Sequence, residues 1–483
     1  MKKISLVASS LLLCGISLNA QSLEEAIKGV DVSGYLTYEY EDNRFKDAGY
    51  VKNDLGESSA EHTWKAEATL KTPVMNNVAV ALGLKYDTSN NVNHGKGNPA
   101  NERGNGSFQG TGLGAGGDDP FKVSQFYAIV TPDSTNTTVM AGKMYLNTPL
   151  NDGEADRGTG IIVTNSDIPF THLTFGAFDS WSLDDLSEDL PGKSIAKPMF
   201  AINALLGHET SLGNFGVDLW AFHADDTVDY SLYGMFSWSN SIFSAGLQYV
   251  YTKADDDMKS GVLNQLNGKN INANIKNMLA DSNKYKDFDD RIQDKNDFLS
   301  LQVGVDFAEL GAPVALNLGY ILNTQDGFGV SLDDEGALQK IGNIWFSSDA
   351  TQVNFSTPLA GAKTQEKDLD VMYAQVVYSP LENLTLGLDF VSGKNKVTTK
   401  LKDYAVLSDG KKDNTLKNRN DKYKFMEIAP NVTYAYNDKI EISAYYAFLK
   451  AEREGDVWKG ADKKTETDSL NHNQFKVEAT YSF

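Results

Sequence analysis

The sequence predicts an all-β protein, a transmembrane antiparallel β-barrel of about 18 strands joined by short periplasmic turns and long outer loops. Three observations predict it. Polarity alternates with period two over many segments of the chain. The connections between these segments sort into short and long ones in turn. The apolar stripe of so many strands has no protein interior large enough to bury it, so it must meet lipid. Composition narrows the alternatives. The 483 residues hold 44 Lys+Arg against 65 Asp+Glu, a formal net charge of −21, which excludes nucleic acid as a partner class. One cysteine, Cys14, excludes a disulfide framework and a thiolate metal cluster. With 22 Tyr, 23 Phe and 6 Trp, wholesale disorder is excluded too.

Residues 1–20 read as a signal peptide. Lys2 and Lys3 precede an apolar run from Ile4 to Leu18, and Ala20 supplies a small residue at the expected cut. The run is shorter than the ~20 residues a spanning helix needs, and no other stretch of 18 apolar residues exists. A membrane location therefore requires strands. Residues 21–483 then form a single barrel, with 21–29 as a short N-terminal periplasmic segment.

The strands are expected near 30–40, 61–71, 78–87, 121–131, 137–146, 158–165, 170–179, 198–207, 214–223, 227–238, 241–253, 297–307, 313–323, 367–378, 383–393, 421–435, 439–450 and 471–483. The last shows the pattern best: Phe475, Val477, Ala479, Tyr481 and Phe483 alternate with Lys476, Glu478, Thr480 and Ser482, which gives one apolar and one polar face. Leu384, Leu386, Leu388 and Phe390 alternate with Thr385, Gly387 and Asp389. Near the start, Val78, Val80, Leu82, Leu84 and Tyr86 alternate with Ala79, Ala81, Gly83, Lys85 and Asp87. In the ninth segment Trp220 and Phe222 break the alternation. Short turns are expected at 73–77, 132–134, 239–240, 380–382 and 437–438. Long polar loops are expected at 41–60, 88–120, 254–296, 324–367, 394–421 and 451–470, the exception to the rhythm being the short join at Asp225-Asp226. Tyrosines near strand ends, such as Tyr38, Tyr86, Tyr251, Tyr320 and Tyr481, suit an interfacial girdle.

Three motifs resemble one family. Leu23-Glu24-Glu25-Ala26-Ile27-Lys28-Gly29-Val30-Asp31-Val32-Ser33-Gly34 resembles the N-terminus of the major outer membrane protein (porin) family of Campylobacter and related epsilonproteobacteria. The stretch Ala141-Gly142-Lys143-Met144-Tyr145-Leu146-Asn147-Thr148, with Gly158-Thr159-Gly160, Leu173-Thr174-Phe175 and Asp179-Ser180-Trp181, resembles the region around that family's third outer loop, and the ending Tyr481-Ser482-Phe483 is similar as well. The resemblance implies a cell outer-membrane location among lipid and lipopolysaccharide, and an 18-stranded homotrimer. It also implies a third loop folded into the lumen, and delivery by the barrel-assembly machinery, with Phe483 and Tyr481 in the assembly signal. It further implies a porin that passes small hydrophilic solutes and prefers cations. One departure is that Thr37 and Glu39 stand where the family's first strand carries basic residues, which makes this pore wall more acidic.

The expected constriction is the counterpart of the third loop, about 147–158, with Asp152, Glu154, Asp156 and Arg157. Carboxylates in a narrow aperture with low-dielectric walls attract cations and repel anions. Glu39, Lys65, Glu67, Lys85 and Lys143 are expected on the lumen-facing wall. No cofactor is required. The resemblance implies a calcium ion near the constriction, with Asp156 and Asp189 at candidate positions, calcium taking six to eight oxygen ligands. Gly112-Leu113-Gly114-Ala115-Gly116-Gly117 fits a dinucleotide fingerprint formally but opens no helix, so it reads as loop. The six histidines lack metal-ligand spacing, and no serine–histidine pair has a catalytic setting, so no enzyme is expected. The alternative to a porin is a surface adhesin or structural barrel that acts through its outer loops.

Overall fold

The structure is a computed structural model describing residues 29–46, 59–93, 121–183, 196–255, 294–332, 336–356, 365–399, 419–459 and 462–483. The expected signal peptide, Asp189 and the glycine run at 112–117 lie outside the described residues. The strands are β1 (Asp31–Lys46), β2 (Ser59–Lys71), β3 (Val78–Asn93), β4 (Phe121–Val130), β5 (Thr137–Tyr145), β6 (Arg157–Asn165), β7 (Thr171–Ser182), β8 (Met199–Thr210) and β9 (Gly213–Ala224). The second half comprises β10 (Val228–Ser239), β11 (Phe243–Ala254), β12 (Lys295–Asp306), β13 (Val314–Leu322), β14 (Gln365–Leu381), β15 (Leu384–Thr399), β16 (Arg419–Asn437), β17 (Ile440–Lys459) and β18 (Asp462–Ser482).

Each strand pairs antiparallel with its sequence neighbours, and β1 pairs with both β2 and β18, so the sheet closes. At the seam Gly34 N–H donates to the Phe483 carbonyl at 3.1 Å, and Phe483 N–H donates to the Gly34 carbonyl at 3.0 Å. Closure leaves no unpaired edge, the condition for β-structure to cross lipid. Tight turns hold one end. At the first, Asn76 and Asn77 both take positive φ (50° and 67°) and Met75 pairs with Val78, a two-residue hairpin that asparagine tolerates well.

The period-two pattern sorts side chains as expected. On β15, Leu386, Leu388 and Phe390 are exposed on the outer face, while Asp389 between them is only 6% exposed and points inward. On β3, Val78 and Val80 point out, and Ala79, Ala81 and Lys85 are buried on the lumenal side. Leu301 of β12, Leu318 of β13, and Met372 and Val376 of β14 continue the band.

Two expected loops are corrected. The first is 451–470. Strands β17 and β18 pair as far as Lys459 opposite Asp462, so this stretch is a two-stranded ribbon rather than a long loop. Its residues are mostly polar, which hid it from a search for apolar stripes, but a cross-strand charge pair supports it: Arg453 of β17 lies 3.7 Å from Asp468 of β18. The second is 324–367. Its described part, 324–332 and 336–356, turns back into the barrel and packs on the inner wall. Phe328, Val330, Leu332, Leu338, Ile341, Ile344, Trp345, Val353 and Phe355 are all buried there. They join inward side chains of β8 to β18, among them Met199, Phe222, Val250, Phe298, Val371, Phe425 and Leu449. A lumen too wide for wall side chains to fill is thus filled in part by an inserted segment.

Candidate functional site: a lumen narrowed by two inserted segments

The third loop, residues 146–156 between β5 and β6, is a compact knot. Leu146 N–H donates to the Asp156 carbonyl at 3.0 Å and Asp156 N–H to the Asp152 carbonyl at 2.9 Å. The Asp156 carboxylate is fully buried and accepts from Asn151 Nδ2 at 3.0 Å and from Asp152 N–H at 3.1 Å. Asp152 in turn accepts from Glu154 N–H at 2.7 Å. Local acceptance of backbone N–H groups is what aspartates do in tight loops. Of the acidic run, Glu154 is exposed, Asp152 half-buried and Asp156 a structural strut. The β3 residue Lys85 reaches the loop, its Nζ donating to the Glu154 carbonyl at 3.3 Å.

The loop also docks on the insert. Leu332 N–H donates to the Leu150 carbonyl and Ala337 N–H to the Pro149 carbonyl, each at 2.9 Å. The insert is fixed to the wall at several further points. Asp297 of β12 accepts from Thr324 N–H, Thr324 Oγ1 and Gln325 N–H, at 2.7, 2.6 and 2.8 Å. Gln248 of β11 accepts from Gln339 N–H at 2.7 Å and donates to the Ala337 carbonyl at 3.1 Å. Glu427 of β16 accepts from three successive N–H groups, Asn343, Ile344 and Trp345, at 2.6, 3.1 and 2.7 Å. The Trp345 ring stacks on Phe425 at 5.7 Å. Asn395 of β15 donates to the Thr351 carbonyl at 3.0 Å, and Ser348 lies 3.1 Å from His472 of β18.

The wall formed by β18, β1 and β2 has a different lining. Thr37 and Thr480 share a hydrogen bond at 2.8 Å. Glu39 lies 2.9 Å from Lys476 and 3.9 Å from Lys65. The register sets Glu39 opposite Glu478, and Glu41 opposite Glu61. Glu67 is buried and accepts from Ser124 at 2.6 Å, Gln125 at 3.1 Å and Tyr145 at 2.6 Å. On β15, Asp389 accepts from Gln375 at 2.8 Å and Asn431 at 3.2 Å.

Thus Glu39, Lys65, Glu67 and Lys85 face the lumenal side. Lys143 does not, and its expected place is corrected. It pairs with Phe126 and Thr159, and paired residues share a face. Phe126 is among the most exposed apolar residues of the outer surface, and the Lys143 ammonium donates to the Val123 carbonyl at 2.8 Å. The positive φ of Gly142 (139°), whose ideal Cβ would lie 2.3 Å from the Phe126 carbonyl oxygen, marks the close approach of β4 and β5 there. Arg157 is buried; it donates to Tyr145 Oη at 3.3 Å with its guanidinium 4.9 Å from that ring, so Tyr145 links it to Glu67. Tyr481 and Phe483 stack at 5.9 Å beside the seam.

Of the two candidate calcium positions, Asp189 lies outside the described residues and Asp156 is engaged within its loop. The Asp156 carboxylate is occupied by the loop's own N–H donors, and no group of three or more acidic, His or Cys side chains converges among the described residues.

Sequence reasoning missed the insert and its anchors, Asp297, Gln248, Asn395 and Glu427. A signal existed. Trp220 and Phe222 of β9 stack at 5.5 Å on the inner face while Leu219 points outward. On β14, Leu369, Val371 and Tyr373 are buried inward with Met372 and Val376 outward. Strands apolar on both faces are strands whose inner face is covered.

The profile of the Campylobacter major outer membrane protein family matches residues 1–481 of this sequence. The chain belongs to this family. No curated relative matches it. Among solved structures, Pseudomonas aeruginosa OccK3 (OpdO) superimposes with a TM-score of 0.53 at 9% identity, covering 95% of this chain and 99% of that one. Acinetobacter baumannii OccAB1 gives 0.53 at 12% identity, with 94% and 97% covered. A BenF-like porin from Pseudomonas fluorescens Pf-5 gives 0.52 at 12% identity, with 94% and 99% covered. At these identities the likeness is one of fold. Family and fold together make this member an outer-membrane β-barrel of the porin type.

Proposed function

We propose that this protein is a passive diffusion channel for ions and small hydrophilic solutes, with a preference for cations. The observation that carries the reading is the acidic wall of β18, β1 and β2. Glu39 stands opposite Glu478, and Glu41 opposite Glu61, on the lumenal face. Like charges directly opposed across a ladder cost stability. Their presence on one inward face, relieved by Lys65 and Lys476, supports a field that draws cations into the aperture. Asp152 and Glu154 of the third loop add to that field. Homotrimeric assembly, lipopolysaccharide contact and recognition of the Tyr481–Phe483 end by the assembly machinery belong to the same proposal and rest on the family. The test is swelling of liposomes that hold the purified protein, in graded sugars. Swelling that falls off with solute size supports the channel. Inserted, folded protein with no swelling would mean that the third loop and the insert close the lumen, and the adhesin or structural reading would replace it.

A further inference from the structure

We propose that Glu427 is the positioning residue that sets how far the insert reaches across the pore, and so sets the aperture. The proposal rests on the reading of the lumen as a conducting path.

Glu427 stands on the inner face of β16, fully buried, with Val391 of β15 and Leu449 of β17 as its register partners. Both partners are buried apolar side chains. A carboxylate at such a place is costly unless its oxygens are satisfied. Here they are satisfied by the insert: Oε1 accepts from Asn343 N–H, and Oε2 from Ile344 and Trp345 N–H. Three successive backbone N–H groups aimed at one anion form a nest, and bonds to a charged acceptor are stronger than neutral ones. The nest and the carboxylate therefore specify each other.

The place of this contact gives it a function. The insert leaves the wall after β13, and its first anchor, Asp297, is on the adjacent β12. Asp297 fixes where the segment starts. Glu427 lies four strands further round and holds the segment's middle, so it fixes where the segment goes. Beside the latch the insert reaches solvent: Ser347 and Asp349 are exposed, and Lys340 sits 4.6 Å from the Phe346 ring. Glu427 touches no solute. It acts through Asn343–Trp345 on the rim that does.

The experiment is single-channel recording of wild type, Glu427→Gln and Asn343→Pro in planar bilayers, with heat-modifiable gel mobility as the measure of barrel folding. Glu427→Gln keeps the volume but removes the charge and offers only one acceptor oxygen. Asn343→Pro removes one N–H from the insert side and leaves the barrel wall intact, so it folds even where a wall variant does not. Both are expected to raise open-channel conductance about twofold and to increase current noise at unchanged gel mobility, because the aperture depends on the position of the rim. A merely structural role would lower the melting temperature of the barrel and leave conductance alone. Folded variants with wild-type or lower conductance overturn the proposal. A wild type that inserts and never conducts overturns the channel reading and this proposal with it.

Discussion

The two halves of the lumen solve the same problem in opposite ways. From β8 to β17, and as far as Leu470 of β18, the inner wall is largely apolar in its outer part and is covered by the insert, whose Trp345, Phe355 and Ile344 complete a core of the kind found in soluble proteins. From β18 through β1 to β2 the inner wall carries Thr480, Glu478, Lys476, Thr37, Glu39 and Lys65, held in charge pairs and hydrogen bonds, and meets water. The outer face of both halves is the same apolar band. The difference shows that the residues of a barrel's inner face report what they touch: the covered half reads as buried, the open half as pore lining.

Substitutions confined to one half test that division. The largest effect is expected from Trp345→Ala. Truncating a fully buried tryptophan of the insert removes about 3–5 kcal/mol of local stability. Limited proteolysis should then cut the insert while the barrel keeps its gel mobility; equal resistance in variant and wild type would mean that the insert is not held by its core. Next in size is Leu318→Arg, on the outer face near the middle of β13. A charge at that depth in lipid costs about 2–4 kcal/mol, read as a lower denaturant midpoint in vesicles. A soluble barrel with water outside would lose almost nothing.

The open half is tested by charge rather than by stability. Glu39→Gln together with Glu478→Gln removes two opposed carboxylates, relieves their repulsion and leaves Lys476 and Lys65 facing the lumen. The reversal potential in a salt gradient should move toward the anion side with no loss of thermal stability. Glu427→Gln, in the covered half, should change conductance more than selectivity. The smallest effect is expected at the turn end. Asp167 has its carboxyl held below the usual carboxylate range by the Thr135 hydroxyl, then by Asn136 N–H and the Asn165 amide. Its folded value being depressed, it stabilises the turn at neutral pH, and that contribution is lost as pH falls through the folded value, below the ordinary aspartate range. Asp167→Asn should flatten this part of the acid denaturation curve. An unchanged curve would remove the turn from the account.

Most of the barrel was legible before the structure. Strand number, order and the lipid-facing set followed from period-two alternation, because lipid imposes that pattern on every strand it touches. The ends of β15 to β18 were not legible, since beyond the lipid nothing requires an apolar stripe, and the hairpin of β17 and β18 continues on polar pairs such as Arg453 with Asp468. The insert was missed for a related reason. Its apolar residues are spread through Asp, Asn, Ser and Gly without period, because an irregular segment buries side chains where its backbone happens to turn. Its imprint lay elsewhere, in the doubled apolar faces of β9 and β14. The third loop was found by resemblance, but its acidic run divides by role: Asp156 shapes the loop, and Glu154 is left to the solvent.

The most direct test of the central claim is the reversal potential of the wild-type protein in a planar bilayer under a salt gradient. An open acidic wall beside a covered apolar one predicts stepwise openings and a potential on the cation side. Openings with a potential on the anion side, or a folded and inserted barrel that carries no current, would contradict it.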